Sequence, residues 1–408
     1  MCPSADDGAY FTHITPEILG TKVGDLIEPC PNYPASSRPD PPDAGFPIAL
    51  AISGGGFRAT LAGIGVLRFL ADAGLLGQVR YVSSVSGGSI ANGLLATHYQ
   101  KLAADRFSAR AFADLVEEPT IARISGASLT SKMLRNAWRI IGPKTRTNLL
   151  ADSFDEWFFG GLKLHELPPP CRYVFNAANL TTGVRFGFER EWTGDYVLGR
   201  LPSEAFGLRV ADAVAASAAV PGLLATYTPK GPALPCQNGR VPKLVDGGAY
   251  ENTAMEPVDR LPDVFLIAVN AGGIFRTGPI GWMPIVRDLQ RAEGLLYRQS
   301  TALRMKDMVE RFRLREDAVR AGQQVPPGGR WGVLFGLGTT LVPGPGWQEA
   351  PLPRTRQLQL AQLSTSFSKF ERGDCQDLVR HAWWLTGATI ATYHPDLLAT
   401  LPAWGDRA

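Results

Sequence analysis

Residues 47–58, with the sequence PIALAISGGGFR, decide the fold of this chain. The first six are apolar and predict a short buried strand, and the three glycines that follow predict a tight turn with exposed backbone N–H groups. Residues 58–73 then carry apolar side chains at a helical period. Strand, glycine turn and helix in this order are typical of one unit of a parallel sheet with helical crossovers.

A second unit of the same kind follows in residues 79–88, VRYVSSVSGG. The strand is predicted to end at Val85, and a helical pattern begins after Ser86. Ser86 therefore occupies a strand-to-helix turn at the carboxyl edge of the sheet, where such sheets build their sites. Ser84 and Gly88 are small, as so sharp a turn requires, although Ser84 replaces the usual glycine. Ser86 is a candidate nucleophile, and a plain helix N-cap is the simpler alternative.

A third apolar run closes with Asp246, followed by two glycines. The carboxylate is predicted to face the same sheet edge and could accept the serine proton directly. A Ser-His-Asp triad would need a histidine after the acid, and only His381 and His394 follow it. Both fall in helix-like segments of the tail. We therefore favour Asp246 as the base over either histidine.

The glycine loop has an alternative interpretation as a phosphate cradle. Dinucleotide binding would require an acidic residue at the end of the second strand, and residues 83–86 are SSVS. A P-loop would require Lys-Ser/Thr after the glycines, where residues 58–60 are RAT. Nucleotide binding is therefore disfavoured, and the loop is predicted to bind an ester oxyanion.

Length and composition allow one large catalytic domain. The chain has 408 residues and a net charge of +3, which favours no nucleic-acid partner. Residues 1–45 are predicted to form a proline-rich arm, and residues 46–408 a single domain with a helical insertion near 100–170. A helical tail is expected from about residue 284.

The cysteines predict a reducing environment. There are five, at positions 2, 30, 171, 236 and 375, and we expect them to be reduced thiols. Their spacing does not match a metal-ligand pattern, so no structural zinc is expected. We also expect no other metal and no cofactor. The first residues lack a signal-peptide pattern, and no apolar stretch approaches the ~18 residues of a membrane span. We expect a cytoplasmic protein with peripheral membrane contact, which leaves export as an effector open.

Together the three motifs resemble the patatin-like phospholipases and the related cytosolic phospholipase A2 catalytic domain. The loop at residues 53–59, SGGGFRA, is especially similar to the cytosolic group. The order of glycine loop, elbow serine and Asp-Gly-Gly also matches. Weaker similarities lie at residues 179–183 and 219–221. The resemblance spans roughly residues 46–270.

The resemblance implies a three-layer α/β/α patatin-like fold with a mainly parallel sheet, and a Ser-Asp dyad of Ser86 and Asp246. The oxyanion hole would comprise the N–H groups of Gly55 and Gly56, with Gly54 and Gly87 as further candidates. Arg58 would steady the loop or meet a substrate phosphate. The implied activity is hydrolysis of phospholipid or lysophospholipid esters through a serine acyl-enzyme, without a cofactor.

Other functions remain open at this stage. The same dyad could serve an acyltransferase or a non-specific esterase, or the fold could be a non-catalytic lipid-binding module. Residues 132–141, KMLRNAWRII, fit an interfacial helix or lid, and an ordinary packed amphipathic helix is the simpler interpretation. The sequence leaves the oligomeric state open.

Overall fold

A computed structural model describes most of the chain from Gly45 onward. The described residues are 29–31, 33, 45–129, 131, 145–259, 261, 263–273, 284–344, 346–398 and 401–405. The predicted helix at residues 132–141 and most of the predicted arm lie outside them. No helix in the described ranges is long and apolar enough to cross a membrane.

A nine-stranded sheet lies at the centre of the described residues. Its strands are β1 (Ile48–Ile52), β2 (Val79–Val85), β3 (Arg172–Asn179), β4 (Val184–Phe188), β5 (Trp192–Asp195), β6 (Gly199–Pro202), β7 (Leu244–Asp246), β8 (Phe265–Asn270) and β9 (Trp331–Gly336). The spatial order is β6-β5-β4-β3-β2-β1-β8-β9, and β7 also pairs with β3. Strands β3, β2, β1, β8 and β9 are parallel neighbours, which confirms the mainly parallel sheet.

Helices follow the strands along the chain. They are α1 (Gly56–Asp72), α2 (Gly87–Ala104), α3 (Ala109–Phe112), α4 (Glu118–Gly126), α5 (Arg146–Phe154), α6 (Val210–Ser217), α7 (Glu256–Asp259), α8 (Pro284–Arg320), α9 (Arg354–Gln362) and α10 (Arg372–Tyr393). Three of these helices, α3, α4 and α5, lie between residues 100 and 170, and α8, α9 and α10 lie after residue 283.

Strand β1 shows why the sheet needs a layer of helices on each face. Ile48, Leu50 and Ile52 belong to one hydrophobic core, and the alternate residues Ala49 and Ala51 belong to a second. Because side chains alternate along a strand, the two cores lie on opposite faces. Both faces are buried, as in other parallel sheets covered by helices.

Different helices supply these two layers. Helices α1, α2 and α10 contribute most of their buried residues to the first core. On the opposite face, Met308 and Phe312 of α8 pack in the second core. This arrangement confirms the predicted three-layer α/β/α fold.

Strands β5, β6 and β9 were not predicted from the sequence. Strand β9 lies inside the predicted helical tail and adds a parallel edge strand next to β8. This strand contains glycine at positions 332 and 336, and the backbone at Gly332 has a φ of 155°. Glycine weakens the usual strand pattern because it adds no side chain to the apolar alternation.

The expectation that all cysteines are reduced is wrong for Cys30 and Cys236, which form a disulfide with a Cα–Cα distance of 5.8 Å. The fold brings them together at the turn between β5 and β6. There the Cys30 N–H donates to the Tyr196 carbonyl, and the Cys236 N–H donates to the Leu198 carbonyl. Because 206 residues separate the two cysteines, their spacing gave no sign of this pairing.

Candidate active site

Ser86 forms the sharp turn that its sequence context predicts. It lies between β2 and α2 with φ of 51° and ψ of −122°, a conformation that is rare for residues other than glycine. A Cβ on the next residue, Gly87, would overlap the carbonyl oxygen of Gly56. The backbones of the elbow and the glycine loop are therefore in direct contact, and only glycine allows this approach.

Buried polar side chains hold the elbow in place. The Ser86 N–H donates to Ser217 Oγ at 2.8 Å, and that hydroxyl donates to the Asn176 carbonyl at 2.6 Å. Ser84, at the position usually held by glycine, accepts a hydrogen bond from Asn92 Nδ2 at 2.9 Å. The hydroxymethyl group of Ser84 thus belongs to the support of the turn. The strained Ser86 conformation is fixed by these partners.

Strand β7 brings Asp246 to Ser86. Strand β3 can pair with one neighbour along each of its two edges. Residues 175–179 pair with β4 along one edge, so residues 177–179 must pair with β7 along the other edge. Strand β2 pairs along this same edge of β3, and its last residue, Val85, pairs with Asn176. Asp246 pairs with the next β3 residue, Ala177. Strands β2 and β7 therefore meet end to end, and their terminal residues face each other.

The Asp246 carboxyl is buried and hydrogen-bonded at this junction. Only 8% of the residue is exposed. Burial raises its pKa to about 6, while hydrogen bonds from the Gly248 N–H and the Ser86 side chain act in the opposite direction. The Gly248 bond is 2.8 Å long. A carboxylate with a pKa near 6 is ionised at neutral pH and is a better base than an exposed aspartate.

The glycine loop presents unpaired backbone donors beside Ser86. The N–H groups of Gly55, Gly56 and Gly87 have no acceptor among the described residues. The N–H of Gly54 donates to the Asn252 carbonyl at 3.1 Å. Gly54 was a predicted oxyanion donor, and in the structure its N–H has this internal acceptor, unlike the N–H groups of Gly55, Gly56 and Gly87. Its own role is close packing, because a Cβ there would overlap Asn252 Oδ1.

Arg58 ties the glycine loop to two other segments. Its buried guanidinium donates to the carbonyls of Ala271 and Gly272 after β8, and to those of Ala361 and Leu363 at the end of α9, at 2.5–3.1 Å. Burial lowers its pKa to about 10, so the group stays charged at neutral pH. Of the two predicted roles, these contacts favour support of the loop over contact with a substrate phosphate.

Asn252 and Tyr297 belong to the site and were not predicted. Asn252 Nδ2 donates to Tyr297 Oη at 2.5 Å, and Tyr297 lies on α8. Burial and the nearby Asp246 raise the Tyr297 pKa to about 12, so the phenol remains protonated. Asn252 follows the Asp-Gly-Gly turn by a few residues, which is a weak signal, and nothing in the local sequence of Tyr297 distinguishes it.

The two histidines that follow Asp246 have other partners. His381 Nε2 bonds to the Leu337 carbonyl, and His394 Nε2 to the Gly332 carbonyl, both near β9. This placement agrees with the preference for Asp246 over a histidine base. Across the described ranges, no cluster of three or more His, Cys, Asp or Glu side chains could hold a metal ion.

A mainly parallel sheet with a serine on a strand-to-helix elbow at one strand end and a glycine loop at the next defines an α/β protein with a candidate site at this edge of the sheet. The patatin-like phospholipase family model matches residues 50–259, which are just over half of the 408 residues. The chain belongs to this family, as its resemblance implied. At family level, membership supports a lipid acyl hydrolase. No curated protein sequence matches the chain.

Solved structures show the same fold at low sequence identity. Human GIVD cytosolic phospholipase A2 is 15% identical with a TM-score of 0.52, over 86% of this chain and 60% of that chain. Its complex with methyl gamma-linolenyl fluorophosphonate gives a TM-score of 0.50 at the same identity and coverage. VipD from Legionella pneumophila is 14% identical over 83% of this chain and 67% of that chain, and its TM-score of 0.31 supports no argument. This chain thus spans 60% of the human structures.

Proposed function

We propose that this chain hydrolyses carboxylic esters of phospholipids or lysophospholipids with Ser86 as nucleophile and Asp246 as general base. The observation that carries the proposal is the end-to-end meeting of β2 and β7, which sets the Ser86 hydroxyl against the Asp246 carboxyl. Family membership supplies the lipid class of substrate.

The first half-reaction forms an acyl-enzyme. Asp246 takes the Ser86 proton while Oγ attacks the ester carbonyl carbon. The carbonyl oxygen becomes an oxyanion and accepts hydrogen bonds from Gly55, Gly56 and Gly87, whose N–H groups have no other acceptor among the described residues. When the tetrahedral intermediate collapses, the protonated Asp246 gives its proton to the departing alkoxide. The alcohol leaves, and Ser86 carries the acyl group.

Water completes the cycle in the second half-reaction. Asp246 removes a proton from the attacking water, and the same N–H groups bind the new oxyanion. Collapse breaks the bond to Oγ, which regains its proton from Asp246, and the fatty acid is released. A single carboxylate suffices for both halves because an ester releases an alkoxide more readily than an amide releases an amine.

A lipid panel with purified protein tests this function. We expect free fatty acid from phospholipid or lysophospholipid with wild type, and none with the Ser86→Ala variant. The exposed Ser300 provides a matched control, so Ser300→Ala retains activity. A fluorophosphonate probe should label wild type and Ser300→Ala covalently but not Ser86→Ala. Full esterase activity in the Ser86→Ala protein would falsify the proposal.

A further inference from the structure

Four exposed apolar side chains lie on segments that are hydrogen-bonded to the strand carrying Asp246, or adjoin it in the sequence. They are Leu180, Val220, Leu223 and Val241, with exposed fractions of 60%, 37%, 69% and 47%. We call Leu180 and residues 220–243 the β7 rim. Large apolar groups exposed together are uncommon on a soluble surface and mark a contact site.

Backbone hydrogen bonds fix the β7 rim beside the site. The Ala219 carbonyl accepts the Asp246 N–H at 2.9 Å, and Val220 follows directly. At the other end of β7, the Leu180 N–H donates to the Lys243 carbonyl at 2.9 Å. The segments that carry the exposed apolar residues are thus bonded to the two ends of β7, the strand that ends at the proposed catalytic base.

The charge of the β7 rim has a single sign. Residues 220–243 include Lys230, Arg240 and Lys243 and no aspartate or glutamate. All three basic residues are exposed. Over the whole chain the charges nearly balance, with 41 basic and 38 acidic residues, so this segment departs from the average. Exposed cations among apolar residues match a surface with anionic headgroups above an apolar interior.

The β7 rim is also held in a defined conformation. The disulfide from Cys236 to Cys30 anchors its middle, and prolines at positions 221, 229, 232, 235 and 242 restrict its backbone. Tyr227 exchanges two backbone hydrogen bonds of 2.8 Å with Leu244 of β7. A surface of fixed shape loses little conformational entropy when it binds.

We propose that the β7 rim docks this protein on the surface of an anionic bilayer, with Leu223 and its apolar neighbours inserted among the lipids and the three cations at the headgroups. The proposal rests on the proposed function for its lipid substrate. Docking there places the seam between β2 and β7 next to the membrane, so a lipid ester has a short path to Ser86.

Vesicle co-sedimentation tests the surface without catalysis. The parent is Ser86→Ala, mixed with phosphatidylcholine vesicles that contain or lack phosphatidylglycerol. We expect binding to the anionic vesicles, and at least a tenfold loss in Leu223→Ser/Val241→Ser. Each cation near such a surface contributes roughly fivefold in affinity. Lys230→Glu/Lys243→Glu is therefore expected to lose tenfold or more.

Matched controls come from exposed residues elsewhere. Leu303→Ser/Val342→Ser removes two exposed apolar side chains, and Lys306→Glu/Arg313→Glu reverses two exposed charges on α8. We expect both to bind anionic vesicles within about twofold of the parent. With Ser86 restored, the β7 rim variants should hydrolyse a soluble short-chain ester at the wild-type rate, which shows that they fold.

The outcomes separate the two proposals. Absence of binding by the parent, or equal binding by the β7 rim variants and the parent, overturns the docking surface even where soluble esters are hydrolysed. Rim-dependent binding without any ester hydrolysis by wild type overturns the proposed function and leaves the docking surface standing.

Discussion

Val85 and Asp246 pair with adjacent residues of β3, Asn176 and Ala177, although they are 161 positions apart in the sequence. The pairing with β3 thus fixes the positions of the last residues of β2 and β7 relative to each other. The proposed nucleophile and the proposed base are therefore positioned by backbone pairing within one sheet, which is more rigid than placement on two loops.

We expect the two proposed catalytic residues to act as a unit. Ser86→Ala and Asp246→Asn should each lower kcat for ester hydrolysis by about a thousandfold or more, and the double variant should be little worse than either single variant. The reason is that each residue is ineffective without the other. Steady-state kinetics of the four proteins measures this, and additive losses would show that the residues act independently.

The pH dependence of kcat/KM should follow Asp246. Burial raises the pKa of Asp246 to about 6, and the base must be ionised. Activity should therefore fall about tenfold per pH unit below 6 and level off above it. Burial also raises the pKa of Asp72, on α1, to about 6. An Asp72→Asn control should show the same fall of kcat/KM below pH 6. If that variant no longer shows the fall, the titrating group is Asp72.

Asp246 should make the folded protein less stable at alkaline pH. Because its folded pKa of about 6 lies above the ordinary aspartate value of 3.8, ionisation inside the fold is unfavourable, and this penalty is present above pH 6 and absent below 4. It amounts to about 3 kcal/mol at most. Thermal unfolding of Asp246→Asn should show a Tm a few degrees above wild type at pH 8. The two Tm values should converge near pH 4.

Arg58 is expected to act through stability. Arg58→Met leaves four carbonyls without their donor, so we expect the free energy of unfolding to fall by about 3 kcal/mol or more. Arg58→Lys should recover only part of this, since an ammonium group cannot span both segments. Denaturant titration gives the energies. A KM increase confined to phosphate-containing esters, with stability unchanged, would instead indicate a substrate contact.

Removal of the disulfide should lower stability without removing activity. For a closed loop of 206 residues the chain-entropy estimate is about 5 kcal/mol, as an upper value. Cys236→Ser should therefore lower the Tm and make it insensitive to reductant, whereas the wild-type Tm should fall when reductant is added. Cys375→Ser, at a free cysteine, is the control for loss of a thiol and should retain the reductant response.

The local motifs could be predicted because each one depends only on a few residues that are adjacent in the sequence. The strand before Gly54, the elbow at Ser86 and the turn at Asp246 appear in the sequence as apolar runs that end in small or polar residues. The structure has these strands and turns where the patterns place them. The proposed roles of the side chains stay predictions.

Long-range contacts could not be predicted, because nothing near a residue in sequence encodes its partner across the fold. The Gly54 N–H, an expected oxyanion donor, is bonded to the Asn252 carbonyl, and Tyr297 approaches the site from a helix distant in the sequence. Cys30 and Cys236 meet only because both bind the turn after β5. In each case the position depends on the assembled sheet and its helices.

The Cys30–Cys236 crosslink makes a covalent ring of the chain between those residues, and this ring contains the glycine loop and Ser86 but excludes Asp246. A protease that cuts once inside the ring leaves one molecule, whose two fragments part on a gel only after reduction. A cut between Cys236 and Asp246 instead divides the chain into two pieces that no covalent bond joins, one with Ser86 and the other with Asp246. After such a cut only non-covalent contacts, chiefly the pairing of β7 with β3, hold the two pieces together.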